Sequence, residues 1–137
     1  MNFKKIIKSP IFLIFLAWFF LPKILEWLKP SNYFETPLPD IPNTTISKAK
    51  AESLAYQLYD TMKYAFSDET KILELLNEVE TEPNFSLVSQ KFGLKPYDDS
   101  YGGLNPWAPK KNLVFWINKE LSQTNLEEVK TMFPTIF

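Results

Sequence analysis

The sequence predicts an all-α protein in three parts: an N-terminal transmembrane helix, a Pro-rich linker and a small bundle of five helices. Three observations carry that reading. Ile11–Leu21 runs eleven residues without a charge, a hydroxyl or an amide. Pro37, Pro39 and Pro42 crowd the segment that follows. From Lys48 onward apolar residues recur at helical spacing, and no run alternates with period two for long enough to make a strand. These observations divide the chain into an anchor over 1–30, a linker over 31–46 and a helical domain over 47–137.

The anchor centres on Ile11, Phe12, Leu13, Ile14, Phe15, Leu16, Trp18, Phe19, Phe20 and Leu21, which a soluble surface would have to cover. Ser9 suits an N-cap and Pro10 the first helical position. The run alone spans only about 17 Å, short of a hydrocarbon core of about 30 Å, whereas a helix from Pro10 to Lys29 reaches about 30 Å. That extension takes in Lys23 and Glu26, three apart and able to pair on one face, and puts Trp27 at the depth of the interfacial aromatic belt. Pro22 lacks the amide that would bond to the carbonyl of Trp18, so a kink is expected there. An uncleaved signal anchor is the favoured reading. A cleavable signal peptide shares the charged start but lacks an Ala-x-Ala site over residues 23–32, and a helix buried in a membrane complex or virus particle is the third alternative. Lys4, Lys5 and Lys8 precede the run, which orients the N-terminus to the cytoplasm and the domain outside it.

Prolines in the linker forbid helix and favour an extended spacer, and Pro39-x-x-Pro42 matches a proline recognition spacing. Residues 44–137 hold ten lysines and thirteen acids, a net charge of −3, so the basic footprint of a nucleic-acid binder is missing. The chain has no cysteine and no histidine, which removes disulfides, thiolate chemistry and the commonest general base.

Within the domain, Ser47 caps a helix expected over about 48–65 that buries Ala51, Leu54, Ala55, Leu58, Met62 and Ala65, widened by Tyr59 and Phe66. Ser67 caps a second helix to Val79, with Asp68 and Glu69 at the positive end of its dipole and Ile72, Leu75, Leu76 and Val79 on its inner face. Pro83 opens a third to Phe92, burying Phe85, Val88 and Phe92, and Gly93 suits the cap beyond it. Residues 94–110 form one long loop. The fourth helix covers about 112–122 and buries Leu113, Trp116, Ile117 and Leu121. Thr124 and Glu127 make a capping-box pattern for a fifth that buries Leu126, Val129 and Met132 before Pro134.

Met62-Lys63-Tyr64-Ala65-Phe66-Ser67-Asp68-Glu69, with Ile72 and Leu75, resembles the start of an annexin repeat, where the first helix ends in Met-Lys-Gly-x-Gly-Thr-Asp-Glu. Phe92-Gly93, Tyr97, Gly102-Gly103 and the stretch from Leu113 through Trp116-Ile117 to Glu120-Leu121 resemble the single annexin-like domains of bacteria and their phages. The likeness covers residues 48–133 and implies a five-helix domain, without the anchor. Tyr64 and Phe66 stand where annexins place two calcium-loop glycines, so calcium-dependent lipid binding is not carried over.

The candidate sites are few. Asp98 and Asp99 lack the alternating oxygen ligands of a calcium loop, and Glu78, Glu80 and Glu82 sit in an acidic turn with nothing apolar to raise a pKa. Ser100, Ser122 and Thr124 have no histidine to activate them. Tyr97, Tyr101 and Trp107 on the long loop are the candidate partner contacts, with Trp107 read evenly as recognition residue or as a lid over the core. The expectation is a non-catalytic, membrane-anchored interaction module, an accessory subunit of a bacterial or phage membrane assembly, with lipid and other subunits as partners and no cofactor. A cell-envelope hydrolase or lysis factor, and a calcium-dependent lipid-binding domain, are the alternatives.

Overall fold

The computed structural model describes residues 38–137. The expected anchor over 1–30 and the first part of the linker lie outside the described residues. Among the described residues no helix is long and apolar enough to cross a membrane.

Five helices follow in order: α1 (Lys48–Met62), α2 (Glu69–Val79), α3 (Glu82–Phe92), α4 (Leu113–Glu120) and α5 (Gln123–Met132). Between α3 and α4, β1 (Lys95–Pro96) pairs antiparallel with β2 (Lys110–Lys111), Lys95 opposite Lys111 and Pro96 opposite Lys110. This ribbon replaces the base of the expected open loop. Two residues per strand are too few to leave a period-two signature in the sequence.

Four of the five helices have a local reason to start. The Ser47 hydroxyl accepts from the Lys50 amide, Asp68 from Lys71, Thr81 from Asn84 and Asn112 from Phe115. Two caps differ from the sequence expectation. Asp68, not Ser67, caps α2, because the Ser67 hydroxyl donates to the Glu120 carboxylate instead. The capping box at Thr124 does not form, since α5 begins at Gln123 and Ser122 makes no side-chain cap bond. The Glu69 carboxylate does that work from α2, accepting from the Ser122 amide at 2.8 Å and the Asn125 side chain at 2.5 Å.

The inner faces are those the periodicity marks: Ala51, Leu54, Ala55, Leu58 and Met62 from α1, Ile72, Leu75, Leu76 and Val79 from α2, Phe85, Val88 and Phe92 from α3. Leu113, Trp116, Ile117, Leu121, Leu126 and Val129 complete the core. Phe133 is fully buried while Met132 is only half-buried, one position off the expected pattern. Helix α1 stops at Met62, three residues short of the expected end. Ala65 and Phe66, expected on its buried face, are therefore exposed.

The segment 39–46, expected as part of a free spacer, lies on the helical body. Asn84, fully buried on α3, accepts from the Thr45 amide at 2.8 Å and donates to the Thr45 hydroxyl at 2.8 Å and the Val79 carbonyl at 2.9 Å. Ile41 and Ile46 pack against the core, and the Gln90 side chain donates to the Pro39 carbonyl at 2.9 Å. Helices α1 and α3 run in the same direction: Thr45, just before α1, meets Asn84 near the start of α3, and Tyr59 meets Phe92 at its end. The helical unit over 39–137 therefore has one end bearing the α1–α2 turn and the 94–110 loop, and an opposite end bearing Val79, Asn84 and Thr135.

Candidate functional site: an aromatic loop end

The loop end is built on Trp116. This residue is fully buried, and its ring takes the edges or faces of Tyr59 at 5.7 Å, Phe92 at 6.1 Å and Tyr97 at 4.7 Å between centroids. All three contacts are near-perpendicular, the arrangement the aromatic quadrupole favours. The Trp116 ring N–H donates to the Lys95 carbonyl at 3.4 Å.

Onto this cluster the long loop closes. Asp98 and Gly102 bridge through amide-to-carbonyl bonds of 2.8 and 2.7 Å. Inside that turn the Asp98 carboxylate accepts from the Ser100 amide at 2.8 Å, the Tyr101 amide at 3.1 Å and the Asn105 side chain at 3.2 Å. The Gly103 amide then donates to the Lys63 carbonyl at 3.0 Å, pinning the loop to the C-terminus of α1. Glycine is required there. A Cβ on Gly103 would lie 2.8 Å from the Trp116 ring, and one on Gly102, at φ +58°, would lie 3.1 Å from the Lys63 carbonyl oxygen.

Glu120, at the end of α4, ties the two loops together from beneath. It accepts from the Tyr97 hydroxyl at 2.8 Å and from the Ser67 hydroxyl. Burial, and then the Glu120 carboxylate, hold the Tyr97 phenol well above its ordinary pKa.

The three candidate residues thus divide. Tyr97 is half-buried, packed edge-to-face with Trp116 and Phe115 and bonded to Glu120. It shapes the loop from inside. Tyr101 is 63% exposed and Trp107 is 90% exposed, so Trp107 does not fold back as a lid. Its amide is held by the Asn105 side chain at 3.1 Å, which fixes the turn that presents the ring. Sequence reasoning missed the companion residues. Phe66 is 95% exposed, Tyr64 half-exposed, and Leu104 exposed on the same loop as Trp107. The available signal was Ser67-Asp68: a cap at Asp68 forces α1 to end early enough to free the aromatic residues before it. Phe66 and Trp107 therefore stand on two loops bonded directly to each other.

Four of the five acidic residues weighed as alternatives are engaged elsewhere, and Glu80 is the exposed residue that ends α2. Glu78 pairs with Lys50 at 2.6 Å, Asp99 pairs with Lys119 at 3.0 Å, and Glu82 accepts from the Thr135 amide and hydroxyl at 2.7 and 2.6 Å. The Lys50 ammonium holds the Glu78 carboxyl below its ordinary value, Thr135 does the same for Glu82, and the Ser100 amide with its turn partners does so for Asp98. Each stays ionised at neutral pH, the opposite of what a general acid needs. A shallow cleft of about 180 Å³ between α1 and α3 is lined by Glu52, Tyr56, Tyr59, Lys91 and Lys95. Compared with family models, with curated proteins and with solved structures, the chain finds no match.

Proposed function

We propose that this chain is a non-catalytic, membrane-anchored interaction module, an accessory part of a membrane-associated assembly. The N-terminal apolar run is its anchor, and the aromatic loop end is its working surface. The observation that carries the reading is that the two most exposed aromatic rings among the described residues, Phe66 and Trp107, stand on two mutually bonded loops at one end of the domain. Folding alone gives no reward for presenting such rings to water, whereas contact surfaces concentrate them. The early end of α1 and the Asp98 turn both serve to hold them outward. Against hydrolysis stands the fate of the carboxylates: Glu78, Glu82, Asp98 and Asp99 each have a structural partner.

The likeness to a single annexin repeat is part of this proposal. It is supported by the order of five short helices and by the Met-Lys stretch closing α1 just before the Asp68 cap of α2.

Membrane fractionation tests the anchored reading. The full chain should remain in the pellet after an alkaline carbonate wash, and removal of residues 1–30 should release it to the supernatant. A full chain that washes off overturns the proposal, as does any envelope-hydrolysing activity lost on Glu78→Gln or Asp99→Asn.

A further inference from the structure

The aromatic loop end faces a neighbour that the fold itself helps to specify. We propose that this end, with Phe66, Tyr64, Tyr101, Leu104 and Trp107, rests in the headgroup layer of the bilayer, and that it does so without a cation. The inference rests on the anchored reading above and names what its surface touches.

The first argument is where the chain enters the domain. The Pro39 carbonyl is held by Gln90, two residues before the end of α3. The end of α3 is the loop end: Phe92 packs on Tyr59, one turn short of Lys63, which holds Gly103. A chain arriving from the N-terminal run therefore meets the domain at the aromatic end and not at the opposite one, which lies a full helix away, about 20 Å for α1.

The second argument is reach. Only residues 30–38 separate Lys29 from Pro39. Fully extended, such a segment spans at most about 30 Å. The docking of residues 39–46 onto α3 thus halves the spacer that the proline content suggests. Chain length alone therefore keeps the entry point of the domain within about 30 Å of Lys29.

The third argument is chemistry. Trp and Tyr rings favour the headgroup depth, where an apolar body and a polar edge are both satisfied, and Phe and Leu add apolar area below it. Lys110 and Lys111 follow the Trp107 turn directly and form no ion pair among the described residues. Near an anionic surface each adds about 1 kcal/mol of attraction. Because residues 44–137 carry a net charge of −3, attraction to the domain as a whole is not the driver, and the exposed rings are.

The absence of cysteine from the chain makes the test direct. Full-length protein carrying Ala65→Cys, between Tyr64 and Phe66, or Thr131→Cys, toward the opposite end of α5, is labelled with an environment-sensitive fluorophore. It is then reconstituted at high dilution into vesicles of phosphatidylethanolamine and phosphatidylglycerol. Both positions are exposed, so an aqueous quencher reaches both equally if the loop end is free. The proposal expects the label at 65 to be quenched severalfold less than the label at 131, unchanged by a chelator. It expects that protection to disappear in the Phe66→Ser, Trp107→Ala background. Equal quenching at the two sites overturns it, and so does shielding that vanishes as protein is diluted in lipid, which assigns the surface to a second copy. Shielding confined to native membranes assigns it to a protein subunit and likewise overturns it. Flotation of the same vesicles reports on the anchor separately: a chain that floats with both labels quenched loses this inference while the anchored reading stands.

Discussion

Trp116 and Trp107 belong to one stretch of chain and meet opposite fates. Trp116 sits on α4, fully buried, with three aromatic neighbours and its ring N–H bonded to the Lys95 carbonyl. Trp107 sits on a polar turn, with its amide held and its ring in solvent. The same division separates Tyr97 from Tyr101, and Tyr59 from Phe66. Residue type does not decide between core and surface here. Register on a helix decides it, together with the point where the helix stops. The inner set gives the loop end a rigid base, and the outer set is what that base holds up.

Breaking the inner set has the largest effect. Trp116→Ala empties the space shared with Tyr59, Phe92 and Tyr97 and removes the surface on which Gly103 lies. A loss of about 3–5 kcal/mol is expected. Set against the typical stability of a small domain, about 5–15 kcal/mol, that brings it to the edge of unfolding. Thermal denaturation followed by circular dichroism reads this directly, and a loss below about 1 kcal/mol would show that Trp116 is not the base described.

Asn84→Ala comes next. The substitution removes the side-chain partner of the Thr45 amide and hydroxyl and one of the two donors to the Val79 carbonyl, and it empties a fully buried position. Three hydrogen bonds are lost, each worth about 0.5–1.5 kcal/mol. Residues 39–46 should come away from α3, making the chain near Asn43 an early site of limited proteolysis. Gly103→Ala is milder, at about 1–3 kcal/mol, because the added methyl meets a ring that the core does not allow to move.

Much of this contrast was legible in the sequence, and its limits are instructive. The helical spacing of Leu54, Leu58, Ile72, Leu76 and Val88 marks buried faces because a helix that packs on one side must repeat its apolar residues. Asn84 carries no such mark. Its partners lie across the chain at Thr45 and at the end of α2, a relation that tertiary folding creates. The same holds for Glu69, which caps α5 from α2 and displaces the local capping box at Thr124. Phe66 was misread because periodicity continued past Met62 while the backbone did not. The stop was set by Asp68 capping the next helix and by Gly103 taking the Lys63 carbonyl. Of the three contact candidates on the long loop, exposure favours Tyr101 and Trp107, and Tyr97 became part of their support.

Acid sharpens the comparison without changing a residue. The Ser122 amide and the Asn125 side chain lower the Glu69 pKa from its ordinary 4.5, and Thr135 does so for Glu82. A carboxyl with a depressed folded-state pKa contributes stability above its unfolded value, and that contribution is lost as pH falls through the folded value. The melting temperature should therefore be level above about pH 5 and fall as the pH drops below 4.5. Glu69→Gln should lower the plateau slightly and make the acid decline shallower. A variant whose acid decline matches the wild type would remove Glu69 from the cap of α5.

The smallest effect is the most informative about function. Phe66→Ser and Trp107→Ala each remove a ring that is 95% or 90% exposed and packs against no part of the core. Surface substitutions of this kind change stability by no more than about 0.5 kcal/mol. The pair should leave the circular dichroism spectrum and melting temperature where they were, while Trp116→Ala, in the same loop neighbourhood, does not. A large loss from either would mean that its ring belongs to the base and not to the surface it holds. Near-neutral folding, combined with loss of contact at the loop end, separates the two sets of aromatics by function as cleanly as burial separates them by position.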